Sequence, residues 1–76
     1  MTGIPDVSGD RVVKALRKAG WELLQTKGSH VILGHRKYPE RLIVVPVHGG
    51  RTLPRGTLAR ILKEAGLSPK EFKKLL

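Results

Sequence analysis

Apolar and polar positions change rhythm several times along this 76-residue chain, and each rhythm predicts an element. Val12, Val13, Leu16 and Ala19 recur at helical spacing, with Arg11, Lys14, Arg17 and Lys18 off that face. Ser8 suits the N-cap of this helix, Asp10 its first turn, and Gly20 a left-handed stop. Trp21 to Thr26 and His30 to Arg36 read as strands joined by a turn at Lys27-Gly28-Ser29. A turn over residues 37–40 leads to a third strand, Arg41 to Val47. Pro46 within it marks a sheet edge or a strand end, because proline donates nothing to a ladder. Residues 48–56 form a glycine-rich basic loop. Leu58, Ile61, Leu62 and Ala65 predict a second helix closed by Gly66, with Leu67 as the hydrophobic contact of its C-cap. Ser68-Pro69-Lys70-Glu71 is a capping box that opens a last turn or two carrying Phe72, Leu75 and Leu76. Residues 1–7 read as a short frayed lead.

The expected order is therefore α-β-β-β-α with a short extra C-terminal helix, in one domain over residues 1–76. This is an α+β fold with a three-stranded antiparallel sheet and helices on one face. Leu42-Ile43-Val44-Val45 is apolar at every position, whereas a sheet covered on one face alternates. Two helices cover only one face of three strands. The other face is then either exposed apolar surface where something binds, or the surface under which the final helix folds.

Charge changes the picture more than hydropathy does. Fifteen Lys and Arg against six Asp and Glu leave a formal net charge of +9. Such a surface attracts a polyanion, nucleic acid first and a very acidic protein second. A chain this short has room for no deep enclosed pocket and no dinucleotide-binding domain, so its work is done at the surface. The absence of cysteine excludes a disulfide framework, a thiolate zinc site and a cysteine nucleophile. No apolar run approaches the ~18–20 residues of a membrane span, and the first ten residues lack the features of a secretion signal. A cytoplasmic protein with no membrane partner is expected.

The acidic residues stand singly at positions 6, 10, 22, 40, 64 and 71. A two-metal nuclease needs several convergent carboxylates, and the histidines at 30, 35 and 48 match no metal-binding spacing, although His30 and His48 could approach in space. No metal and no cofactor is expected. Histidine is then the side chain suited to proton transfer near neutrality. RNA brings its own nucleophile, the 2′-OH, so one imidazole to move a proton and cations to stabilise the phosphorane suffice for cleavage. His30 is the favoured candidate, beside Lys27 at the start of a strand and following Gly28-Ser29 in the turn. Alternation groups it with Ile32 and Gly34, opposite Val31 and Leu33. The same pattern also fits a merely exposed or structural histidine. His35 shares the phase of Val31 and Leu33, which places it in packing or at the sheet margin. His48 is either a second proton-transfer group or a loop anchor held by a hydrogen bond. Lys27, Arg36, Lys37 and Arg41 are the expected phosphate holders. Arg51 and Arg55 lead into a helix N-terminus, which favours phosphate, although the loop lacks P-loop spacing and a plain connection reads equally well.

Several pieces recur together: Leu16-Arg17-Lys18-Ala19-Gly20-Trp21, Gly28-Ser29-His30, Val45-Pro46-Val47-His48-Gly49, and Gly56-Thr57-Leu58 through Leu67-Ser68. In this order and spacing they resemble the HicA toxin family of bacterial and archaeal toxin–antitoxin systems, from about Ser8 to Leu76. The resemblance implies a fold similar to the double-stranded-RNA-binding domain and ribosome-independent cleavage of mRNA. It implies that His30 is the catalytic residue, and that a HicB-type antitoxin neutralises the toxin by covering it. Val31 departs from relatives that often carry a polar or aromatic residue there, which bears on substrate contact. The other reading is a non-catalytic module that binds double-stranded RNA by shape and phosphate contacts, with His30 structural.

Overall fold

Helix α1 (Gly9–Lys18) forms where one stripe can be buried at helical spacing: Val12, Val13, Ala15 and Leu16 are all sequestered, and Arg11, Lys14, Arg17 and Lys18 remain in water. In this computed structural model, which describes residues 3–76, three strands and two further helices follow. They are β1 (Trp21–Lys27), β2 (His30–His35), β3 (Tyr38–Pro46), α2 (Arg55–Ala65) and α3 (Pro69–Leu75). The strands make one antiparallel sheet in the order β1-β2-β3, so β2 is central. This is the α+β arrangement the periodicities predict.

The core lies between that sheet and the helices. Leu33, Ile43 and Val45 have no exposed surface, nor have Val12, Leu16, Ile61 and Phe72 facing them from the helical layer. Each such side chain contributes about 1.5–3 kcal/mol through burial. Helix α3 is fastened by the predicted capping box: Glu71 N donates to Ser68 Oγ at 3.1 Å, and Ser68 N to the Glu71 carboxylate at 2.9 Å. Those hydrogen bonds hold the Glu71 carboxyl below its ordinary value. Helix α2 ends as expected, with Gly66 left-handed at φ 71° and Leu67 N donating to Leu62 O at 2.9 Å. Ser8 occupies the α1 N-cap with an extended backbone, but its hydroxyl makes no capping hydrogen bond. It acts instead on Asp10, whose carboxyl it holds below the ordinary value.

Three expectations need correction. The lead is not frayed where it is described, because Ile4 and Val7 are buried in the core. Leu53 N donates to Val7 O at 2.8 Å and Thr52 bridges Ser8, so the lead and the loop before α2 hold each other. The turn into β3 is tighter than residues 37–40: Arg36 and Lys37 alone make it, and His35 pairs with Tyr38. Lys37 N closes it by donating to His35 Nδ1 at 3.1 Å, and an irregularity after Gly34 absorbs the extra residues of β3. Helix α2 begins at Arg55, inside the expected loop, because Pro54 brings an extended backbone up to the first helical turn.

The uncovered face of the sheet stays uncovered. Helix α3 buries Phe72 on the helical side, so the final helix does not fold beneath the strands. Leu24, set out by a bulge between Leu23 and Gln25, lies across Gly34, and a Cβ on that glycine would stand 2.8 Å from Leu24 Cδ1. Leu24 and Leu42 remain 57% and 58% exposed, with Ile32 and Val44 half-buried between them. The continuous apolar run of β3 thus serves both faces.

Gly9 decides how closely α1 meets the sheet. A Cβ there would run into the carbonyl oxygen of Pro46 and the Cα of Val47, both backbone atoms. Gly9→Ala should cost about 1–3 kcal/mol, the usual range for forced overpacking. Urea unfolding would show it as a lowered midpoint at unchanged slope. An unmoved midpoint would mean that α1 has room to stand off.

Candidate functional site

One end of the sheet collects most of the chemistry. The hairpin between β1 and β2 has only two loop residues, Gly28 and Ser29, with Gly28 at φ 55°, the sign a type II′ turn demands at its first central position. The turn places Lys27 directly opposite His30, and His30 directly opposite Pro46. Lys27, His30 and Pro46 therefore form a row across three strands on the open face. His30 and Lys27 are exposed to solvent, so nothing in the fold bars a phosphodiester from the imidazole. Val47 N donates to Ser29 O at 2.6 Å, which makes Ser29–Val47 the hydrogen-bonded pair and His30–Pro46 the non-bonded one. Proline fits that place, because its missing donor would have pointed away from β2.

Both long helices begin at this end. Gly9 opens α1 against Pro46 and Val47, and Arg55 opens α2 after Pro54. Their free N–H groups and dipoles add positive potential to that of the side chains. Pro46, His48, Arg51, Thr52 and Thr57 line a shallow hollow beside the row. Arg55, which follows Pro54 of that lining, pairs with Asp6 at 3.5 Å, an exposed contact of little energetic weight. Thr52 and Gly9 were not singled out by the sequence, and Thr57 entered only within the Gly56-Thr57-Leu58 piece of the family resemblance. Only a glycine directly after a helix N-cap hinted that α1 starts against another backbone.

The expected phosphate holders divide. Lys27, with Gly28 and Ser29 of the turn, stands beside His30. Arg36, Lys37 and Arg41 lie at the opposite end of β2, five residues or about 17 Å away at ~3.3 Å per residue. Arg36 pairs there with Glu22 at 3.8 Å, and the Arg41 guanidinium lies 4.8 Å from the centre of the Tyr38 ring. Alternation along β2 could not reveal this, because residues 30 and 36 share a strand without sharing an end. His48 and Arg51 share the hollow with Pro46, the residue opposite His30. His35 is half-buried, its ring 5.1 Å from both Trp21 and Tyr38 and its Nδ1 taken by Lys37 N. It belongs to the packing at the far margin. Among the described residues no three His, Asp or Glu side chains group as a metal site requires.

The α+β order, with helices backing one face of a three-stranded antiparallel sheet, is consistent with a fold like that of the double-stranded-RNA-binding domain. A sequence model for the family described as "HicA toxin of bacterial toxin-antitoxin" matches residues 9–67. The chain belongs to that family of toxin components. A sequence search of curated proteins found no match. Among the described residues no helix is long and apolar enough to cross a membrane.

Proposed function

We propose that this toxin is an endoribonuclease that acts on mRNA in the cytoplasm, independently of the ribosome and without a metal ion, and that a HicB-type antitoxin neutralises it. The observation that carries the reading is His30, exposed beside Lys27 at the end of the sheet where α1 begins, within Gly28-Ser29-His30. Its imidazole removes the proton of a ribose 2′-OH, and the oxygen then attacks the adjacent phosphorus. Lys27 and Arg51, which form no ion pair among the described residues, stabilise the charge that develops on the phosphorane, and the N-termini of α1 and α2 support them. Arg36, Lys37 and Arg41 hold phosphates further along a strand laid over the sheet. The open face supports the partner as well. Leu24, Ile32, Leu42 and Val44 make an apolar strip continuous with His30, and a protein that covers the strip also covers the imidazole. An acidic partner suits the net charge of +9 and gains speed of capture from it.

The test is cleavage of a defined single-stranded RNA by the purified chain in EDTA. Cutting should proceed in the chelator at the rate seen without it. A chain that binds the RNA but never cuts it, with or without added divalent metal, would leave the non-catalytic binding module as the function.

A further inference from the structure

We propose that His48 is the second proton-transfer group of this site, the general acid that protonates the leaving oxygen, an assignment that rests on the ribonuclease reading above. Four observations place it. First, strand pairing does not stop at Pro46: the Val47 N–H to Ser29 O hydrogen bond carries the β2–β3 register one pair further. His48 then stands diagonal to His30, the relation in which side chains on one face lie about 7–8 Å apart. Second, the alternation of β3 continues through these residues. Ile43 and Val45 are buried and Val47 packs on the core, whereas Pro46 is half-exposed and His48 exposed. His48 therefore shares the side of the sheet that carries His30.

Third, its backbone is held and its ring is not. The His48 carbonyl accepts from Arg51 N at 3.2 Å, and the loop beyond is pinned to the lead through Ser8–Thr52 and Leu53–Val7. The ring makes no hydrogen bond within the described residues, so the loop is anchored by the main chain and leaves the imidazole to other use. Fourth, the remaining histidine is unsuited, since His35 is wedged between Trp21 and Tyr38 at the far margin. The charged groups around His48 are Arg51 on its own loop, Lys27 and His30 across the strands, and the Asp6–Arg55 pair at the start of α2.

The chemistry balances with two imidazoles. His30 takes the 2′-OH proton as the 2′-oxygen forms its bond to phosphorus. As the bond from phosphorus to the 5′-oxygen breaks, His48 in its protonated form gives that oxygen a proton. The products are a 2′,3′-cyclic phosphate and a 5′-hydroxyl, and the proton passes back from His30 to His48 through water. A diagonal separation leaves room for one phosphodiester between the rings.

The experiment uses two short RNAs of one sequence, one natural and one with sulfur in place of the 5′-bridging oxygen at the scissile phosphate. A thiolate leaves without being protonated, so the second RNA has no need of a general acid. On the natural RNA, His48→Gln should cut ~10²–10³-fold more slowly than the parent, as loss of an acid–base group does, and its rate should no longer fall at alkaline pH. On the sulfur RNA, His48→Gln should recover to within a few-fold of the parent, and His30→Ala should not recover. His48→Ala repeats the measurement, with thermal melts of both variants confirming the fold. Natural-RNA cleavage by both His48 variants at the parental rate, or a defect equally deep on both RNAs, would overturn the assignment while leaving His30 in place. A parent that cuts neither RNA would instead sink the ribonuclease reading itself.

Discussion

His30→Ala should bind RNA as the parent chain does and cut it ~10²–10⁴-fold more slowly, the span that general acid–base groups contribute. The two halves of that result come from different facts. His30 is exposed and its side chain has no hydrogen-bond partner among the described residues, so truncation opens no cavity and strands no buried group. Such surface changes lie within about 0.5 kcal/mol, and the melting temperature should hold. Affinity should hold because it rests on cations meeting phosphates. It should fall steeply with salt for parent and variant alike, by tenfold or more between about 50 and 200 mM for several phosphate contacts. Only the proton transfer is lost. The measurement is cleavage of a labelled RNA under single-turnover conditions, beside a binding titration on a 2′-O-methyl copy that cannot be cut. Equal cleavage by the two proteins would remove His30 from the chemistry and leave a structural or binding role.

The second large effect is on stability. Phe72→Ala should cost about 3–5 kcal/mol, the range for truncating a fully buried phenylalanine. Phe72 is the one fully buried residue of α3, a seven-residue helix opened by a capping box and packed against α1, with Leu75 partly buried beside the core. A chain of this length has only about 4–11 kcal/mol in total, at ~0.05–0.15 kcal/mol per residue. The variant should therefore melt some tens of degrees lower, or be unfolded at growth temperature, and lose its nuclease activity with its fold. Leu76→Ala, at a residue 37% exposed on the same segment, should change little. Thermal melts followed by circular dichroism compare the two. Equal and small effects would show that α3 merely rests on the core, and the short helix beyond the matched family region would then be dispensable.

How the site became legible differs from residue to residue. The place of His30 was visible because a glycine turn, read as Lys27-Gly28-Ser29, and strict alternation are local rules: they set a side chain beside Lys27 and away from Val31 without knowledge of the rest of the chain. His35 was visible for the same reason, in the opposite phase. His48 was left between two roles, because local spacing does not say whether its ring or its main chain holds the loop. The carbonyl of His48 accepts from Arg51 N, and Thr52 and Leu53 tie the loop to Ser8 and Val7. That Arg36, Lys37 and Arg41 stand at the other end of β2 from His30 was not legible, because charge composition is blind to direction along a strand. The turn into β3 was drawn too long because Tyr38, Pro39 and Glu40 look like turn residues. What shortened it was the pairing of Tyr38 with His35 and the stacking of its ring over Trp21.

The amino-acid order alone determined the basic character of the surface and the elements, their number and sequence, whereas His30 was singled out as catalytic by the resemblance to the HicA family. The elements follow from spacing within a window of a few residues, where backbone sterics, capping and hydrophobic periodicity act. Only the tertiary structure decided that Arg36, Lys37 and Arg41 lie at the other end of the sheet from His30, that two helices begin at the His30 end, and that the open face keeps Leu24 and Leu42 in water. Those outcomes depend on side chains distant in the chain competing for one small core. Phe72 is buried on the helical side, while Leu24 and Leu42 on the far side of the sheet stay exposed.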